Sequence, residues 1–332
     1  MMDNKYSDIV ISSRIRLARN IVDIPFPRKL EGQEEIYSKL YKGIEKACNN
    51  LFKYDFYKMD NIDNLTAQQL KEQHLISDNL IKSKYGAAYI SNTKDISIMA
   101  NEEDHLRIQC IHSGFDLDGA YNQIVKVDSE LAKNLNYAFD PRLGYLTSCP
   151  TNLGTAMRAS VMIFLPALTM IGKIDAFINK FQTVDGITTR GVYGEGSKAE
   201  GYMYQISNQS AISLSENEIL KKMTLVVTKL CQAEIEARQI LKEKRGIDLQ
   251  DDIMRAYGIL KYAVKMSSNE TNVNIAMVKL GVSLGYIDCD IDKLNRLLVL
   301  TQPAMVCSMF DNKIISADKR DKARAEIIKK LL

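Results

Sequence analysis

Three strand-like runs crowd into residues 86–112, with no helix between them. "GAAYIS" (86–91), "DISIMA" (95–100) and "RIQCIH" (107–112) carry the alternating apolar pattern of half-buried strands. Strands that follow one another directly favour an antiparallel sheet with helices packed on it. Further strands are expected at 7–12, 188–193 and 202–207, and helices at 31–53, 66–73, 116–137 and 155–180. Beyond about residue 215 the pattern is helical only. Ser215-x-x-Glu218 has capping-box spacing and opens a long amphipathic helix that Gly246 closes; helices at 251–266, 268–284, 290–300 and 317–332 follow. The fold class is therefore α+β: an antiparallel sheet flanked by helices over residues 7–240, then a small all-helical domain over 241–332.

Composition narrows the function classes. A chain of 332 residues that is 46% hydrophobic can bury a sizeable core. A formal charge of +3 without a polybasic run argues against direct nucleic-acid or membrane binding by bulk electrostatics. Cysteines 48, 110, 149, 231, 289 and 307 form no CxxC pair, and His74, His105 and His112 give no metal-ligand spacing. Reduced thiols, no resident metal and a start without an apolar leader point to a cytoplasmic protein.

The charged residues are placed unusually. "NEEDHLRIQC" (101–110) sets three carboxylates, a histidine and an arginine inside strand sequence. Arg14 and Arg16 in "SSRIRLAR" lie two apart at a strand end, so both side chains leave one face. Arg107, Arg158 in "TAMRASVM" and Arg190 in "TTRGVYGEG" add three more. Each alone reads as an ordinary surface arginine. Aimed at one point, the five would neutralise a triphosphate without a Walker-type loop, which this sequence lacks. Glu195 sits among Gly191, Gly194 and Gly196, a loop able to close over a ligand. Cys149, in a Cys-Pro turn before the expected 155–180 helix, reads either as a buried thiol or as one activated by a helix N-terminus and the Thr147, Ser148 and Thr151 hydroxyls.

"SSRIRLAR", "NEEDHLR", "CPTNLGT" and "RGVYGEG", in this order, resemble the ATP:guanido phosphotransferases, the creatine and arginine kinase family, over residues 7–240. "VISSRIRLARN", "GYLTSCPTNLGT" and "YGEGSKAEGYMYQISNQ" are similar to its bacterial protein-arginine kinase branch. The first arginine motif begins at residue 12. The helical domain that precedes it in small-molecule guanidino kinases is thus expected to be absent, leaving the guanidine pocket open to an arginine on a protein.

The resemblance implies that ATP, with Mg²⁺ carried on the nucleotide, is held by Arg14, Arg16, Arg107, Arg158 and Arg190. It adds Ser12, Ser13, Ile15, His74, Ala159, Ser160, Val161, Met162, Gly191, Val192, Tyr193, Gly194 and Glu195 to the nucleotide site. It makes Glu103 and Glu195 the carboxylates on the acceptor guanidinium, and Cys149 the thiol against it. A guanidinium is not nucleophilic while protonated, so one carboxylate accepts its proton as the N–P bond forms. In "RDKARA" (320–325), Arg320 and Arg324 share a helix face and would grip one phosphate together. The branch implies an allosteric phosphoarginine pocket there, formed with Asp321 and Ala325. It further implies protein substrates with exposed arginines, an activator protein, a homodimer and tagging for Clp-type proteolysis in stress response. A kinase of a free guanidino metabolite and a non-catalytic phosphoarginine-binding adaptor are the alternatives.

Overall fold

The structure, a computed structural model, describes residues 6–27, 34–192, 200–209, 211–212, 214–310 and 313–332. From the N-terminus run β1 (Val10–Arg19), α1 (Glu34–Leu51), β2 (Tyr54–Lys58), α2 (Asn64–Glu72), α3 (Asp78–Ile81), β3 (Ala87–Ser91) and β4 (Ile96–Ala100). Next come β5 (Leu106–Ser113), α4 (Leu117–Ala132), β6 (Phe139–Asp140), β7 (Gly144–Tyr145), β8 (Met157–Phe164), α5 (Pro166–Met170), α6 (Ile174–Asp185), β9 (Ile187–Gly191) and β10 (Met203–Asn208). Helices end the chain: α7 (Glu216–Tyr262), α8 (Ser268–Ser283), α9 (Ile291–Leu300), α10 (Pro303–Phe310) and α11 (Ala317–Leu331). The chain divides into two compact units. One comprises residues 12–161 and 207–225; the other comprises 1–11, 162–206 and 226–332.

In the first unit the strand order is β2-β3-β4-β5-β1-β8, and the pairs from β2 to β1 are antiparallel. Every residue of β3 and β4 is buried, because helices cover this part of the sheet. On one side Leu70, Leu75, Ile76 and Leu80 pack with Met59, Ala88, Ile90 and Met99. Each fully buried aliphatic side chain contributes about 1.5–3 kcal/mol. Side-chain caps fix where the short helices start. Asp63 accepts from Thr66 N at the head of α2, Ser77 from Leu80 N at α3, and Asp116 from Gly119 N at α4.

In the second unit the last residues of β8 lead to β10 and then β9. Glu234, fully buried on α7, accepts the first N–H groups of α5 from Ala167 (3.1 Å) and Leu168 (3.0 Å). Arg238, one turn on, donates Nε to Glu234 (3.0 Å) and Nη1 to Asp8. Lys279 on α8 is buried; its Nζ donates to Asn295 Oδ1 (2.6 Å) and sits 4.5 Å from the centre of the Phe164 ring. Gly246 (φ 45°, ψ −118°) interrupts α7 where the sequence ends its long helix.

The expected helix at 155–180 is a correction. Gly154 (φ 96°) and Ala156 (φ 51°) take left-handed backbone, which no helix passes through, and Met157–Phe164 is strand β8. Helix begins only at Pro166, which starts α5, and resumes at Ile174. Strand β1 runs on to Arg19, so "SSRIRLAR" lies within a strand, not at its end. Also unforeseen were β2, α3, the short β6 and β7, and α10 with its apolar sequence "PAMVCSMF". Among the described residues, no helix is long and apolar enough to cross a membrane.

Candidate active site

Strand β1 sorts its side chains by alternation. Ser13, Ile15, Leu17 and Arg19 are buried on one face, while Arg14 and Arg16 project from the other. Register with β5 sets Gln109 opposite Arg16 and Arg107 opposite Ala18, so Arg107 shares the face of Arg14 and Arg16. Arg158 joins them from β8. Burial, then the charges of Arg107 and Arg158, lowers Arg14 to about 10. Arg16 is driven well below its ordinary value by burial and by Arg14, Arg107 and Arg158, against which Glu102 acts. Arg16 Nε is buried without a hydrogen-bond partner among the described residues. Two of the other three lean on hydroxyls, Arg14 Nε on Ser160 Oγ (3.3 Å) and Arg158 Nη2 on Ser207 Oγ (3.0 Å), and Arg107 pairs with Glu102.

A histidine completes this face. Gln109 Nε2 donates to the His74 carbonyl (2.7 Å), pinning a turn in which His74 has φ 60°. Burial, then Arg14, lowers His74 to about 4, so its ring is neutral at ordinary pH. Clustered cations with a buried unpartnered donor suit a multiply charged anion, the donor set that ATP phosphates require. Among the described residues no group of three or more His, Cys, Asp or Glu side chains is arranged to hold a metal ion.

The acidic turn after β4 separates its members. Glu102 is 8% exposed and accepts from Arg107 Nη1 (2.6 Å), from Ser77 Oγ and from the Glu103 N–H. Burial alone would raise its carboxyl; Arg107 and these hydrogen bonds outweigh that and hold it below the usual range. Asp104, 3% exposed, accepts from Asn20 Nδ2 (2.7 Å) and from Ser148 N (2.7 Å). His105 is fully buried: Nδ1 accepts from Ile21 N (3.1 Å), so Nε2 carries the proton donated to the Pro25 carbonyl (2.9 Å). Glu103 is half-buried between these two buried acids, its carbonyl accepting from Ser148 Oγ (2.8 Å). Sequence reasoning missed the buried pairing of Glu102 with Arg107. Its one legible signal was an arginine five residues from a cluster of acids.

Cys149 is half-buried and precedes a single 3-10 turn, Pro150–Asn152, instead of the helix expected from the sequence. Cys149 therefore stands ahead of no α-helix N-terminus. The hydroxyl contact remains: Sγ lies 3.0 Å from Thr151 Oγ1, while Thr147 Oγ1 donates to the Cys149 carbonyl (2.9 Å).

Other expected nucleotide residues are placed unequally. Ser12 is half-buried, but the Ser13 hydroxyl is occupied, donating to the Gly114 carbonyl (2.9 Å) and accepting from Asp116 N (2.9 Å). Ile15 lies on the face of β1 opposite the arginines. Ala159, Ser160 and Val161 are buried in β8, where Ala159 N donates to Asn208 Oδ1 (2.8 Å). In the second unit Met162 is half-buried, Arg190 is exposed on β9, and Gly191 and Val192 are half-buried. Tyr193, Gly194 and Glu195 lie outside the described residues.

On α11, Arg324 is 1% exposed and heavily engaged. It donates to the carbonyls of Thr301 (2.7 Å) and Met266 (2.7 Å) and to Asp321 Oδ1 (2.5 Å). Ala325 is buried beside it. Arg320 is half-buried; among the described residues its Nη1 reaches only the Ile315 carbonyl (3.4 Å), and its buried Nε has no partner. The two arginines thus do different work: Arg324 holds helices together, whereas Arg320 retains donors.

Comparison with known proteins places this arrangement. Residues 35–237 match the ATP:guanido phosphotransferase C-terminal catalytic domain, and residues 246–332 match the protein-arginine kinase McsB C-terminal domain. A "Protein-arginine kinase" of Clostridium kluyveri is 44% identical over 99% of this chain and 96% of its own length. One from Bacillus cereus is 40% identical over 99% and 94%. Among solved structures, the substrate-free duplicated taurocyamine kinase of Schistosoma mansoni aligns with TM-score 0.61 at 25% identity, over 82% of this chain and 40% of that one. Lombricine kinase aligns with TM-score 0.60 at 26% identity, over 73% and 69%.

Proposed function

The chain belongs to the ATP:guanido phosphotransferases, in their protein-arginine kinase branch, and from that premise we propose how its residues phosphorylate protein arginines with ATP. The observation that carries the reading is the arginine face: the charges of Arg107 and Arg158 lower Arg14 and Arg16 across β1, β5 and β8, and among the described residues Arg16 Nε has no partner. A polyphosphate relieves that repulsion and satisfies the donor. Phosphoryl transfer asks mainly for in-line positioning and charge neutralisation, which such a clamp supplies. Arg190 is assigned to the same clamp by the family pattern, and neutral His74 to contact with the nucleotide. Mg²⁺ carried on the nucleotide would add to the charge neutralisation that the arginines supply.

Glu103 and Glu195 hold the acceptor guanidinium, with Cys149 against it, and one of the two carboxylates removes its proton. Glu102 belongs to the phosphate half of the site, where it orients Arg107. Residues 7–240 form the catalytic part, and 241–332 a helical regulatory part in which Arg320, beside Asp321, supplies the free donors for a phosphoarginine. The setting is cytoplasmic, with a homodimer, an activator protein and Clp-type proteolysis of the tagged proteins in stress response.

The test is incubation with ATP and a denatured protein, followed by mass spectrometry for acid-labile phosphoarginine under neutral handling. Phosphoarginine on the protein is the expected result. Phosphorylation of free arginine alone overturns the reading. Glu195→Ala is expected to abolish transfer while ATP still binds; unchanged turnover removes Glu195 from the mechanism.

A further inference from the structure

Asn20, Asp104 and Ser148 form a polar chain that ties together three segments of the first unit: the end of β1, the acidic turn and the thiol loop. Asn20, 2% exposed, donates Nδ2 to Asp104 Oδ1 (2.7 Å) and to the Leu146 carbonyl (2.9 Å), and its Oδ1 accepts from His105 N (2.9 Å). Ser148 closes the chain with two bonds. Its N–H donates to Asp104 Oδ1 (2.7 Å) and its Oγ to the Glu103 carbonyl (2.8 Å). In a site shielded from water such satisfied bonds hold geometry firmly.

Ser148 has a particular place in this chain. It stands one peptide before Cys149, and both of its bonds end on Glu103 and Asp104. Among the described residues its bonds run to Asp104 and Glu103, and none to Arg14, Arg16, Arg107 or Arg158. Its hydroxyl therefore sets the backbone of Glu103 against the backbone of Cys149 without acting on the phosphate clamp.

We propose that Ser148 is a positioning residue for the acceptor half of the site, fixing the carboxylate and the thiol in one frame around the incoming guanidinium. The proposal rests on the assignment of Glu103 and Cys149 to that acceptor. Misplacement by about 1 Å can cost on the order of 100-fold in rate, and loss of one of two tethers permits a smaller shift. Ser148→Ala removes the hydroxyl bond and keeps the backbone bond to Asp104. It is expected to lower kcat for protein-arginine transfer about tenfold, with KM for ATP and Tm near those of the parent. Ser148→Thr restores the hydroxyl and should restore kcat.

Three results overturn the proposal: kcat of Ser148→Ala within about twofold of the parent, a rise in KM for ATP that accounts for the loss, or a folded Ser148→Thr that fails to rescue. Ser148→Cys, similar in size and a weak donor, repeats the test if the alanine variant is unstable. Glu103→Gln run alongside separates the two levels. If Glu103→Gln turns over at the parental rate, the assignment beneath the proposal falls and the proposal with it. If Glu103→Gln is impaired and Ser148→Ala is not, the proposal alone falls.

Discussion

Both units bury arginines, but they treat the charge in opposite ways. In the second unit Arg238 has Glu234 and Asp8 as counter-ions, and Glu234 in turn caps α5. In the first unit burial lowers Arg14 and Arg16, and the neighbouring cations Arg107 and Arg158 lower both further, while Arg107 itself is paired with Glu102 (2.6 Å). A protein has little reason to bury like charges unless something else neutralises them. Compensated charge marks a structural joint; uncompensated charge marks a place for a ligand. Arg19 repeats the first pattern within the first unit: it is 1% exposed, paired with Asp128 (2.8 Å), and set over the Tyr145 ring at 3.5 Å.

That contrast breaks if truncating an arginine has the same effect in both places. Arg16→Ala is expected to lower kcat/KM for transfer by about 10³–10⁵-fold, the range for a transition-state arginine, while leaving Tm unchanged or higher because repulsion is relieved. A clear fall in Tm would show that the cluster stabilises the fold after all. Arg238→Met should do the reverse. It leaves Glu234 buried without its partner, a loss of about 3–5 kcal/mol in chemical denaturation. In whatever fraction stays folded, ATP affinity should be parental. A stability loss under about 1 kcal/mol would mean that the ion pair contributes little.

The same contrast explains what the sequence revealed. The antiparallel strands at 86–112 were legible because period-two alternation and short connections leave few choices. That Arg14 and Arg16 leave one face was legible from their spacing of two, and the register of β1 with β5 adds Arg107 to that face. The 155–180 stretch was not legible. A short apolar run reads equally as buried helix or buried strand, and the deciding feature, left-handed backbone at Ala156, falls on a residue type that gives no warning. Nor could sequence separate Arg320 from Arg324. Their i,i+4 spacing gives both one helix face, but the carbonyls of Thr301 and Met266 that occupy Arg324 come from distant segments. The jobs of Glu102, Glu103 and Asp104 diverge for the same reason. Their partners at Ser77, Asn20 and Ser148 are contacts made only by the fold.

Lys279 offers the finest test, because it is a buried cation inside the compensated unit. Burial is the main cause, and Arg238 the next, that lowers it from 10.5 to about 7; Asp8 and Asp292 pull it the other way. In the folded chain it is neutral above about pH 7, whereas in the unfolded chain it stays protonated up to about its ordinary value. Between those limits the unfolded state binds more protons, so stability rises with pH; below about 7 both states are charged and its penalty is fully present. Lys279→Met removes the titrating group, keeps most of the volume against Phe164 and gives up the bond to Asn295. Stability of parent and variant, measured by urea denaturation at about pH 6.5, 7.5 and 8.5, should differ most at the lowest pH and converge upward, at no more than about 1.4 kcal/mol per pH unit for one proton. A difference independent of pH would mean that Lys279 keeps its charge in the folded chain. Asp8 and Asp292 would then have to compensate it as Glu234 and Asp8 compensate Arg238, making this unit more completely paired than its hydrogen bonds alone indicate.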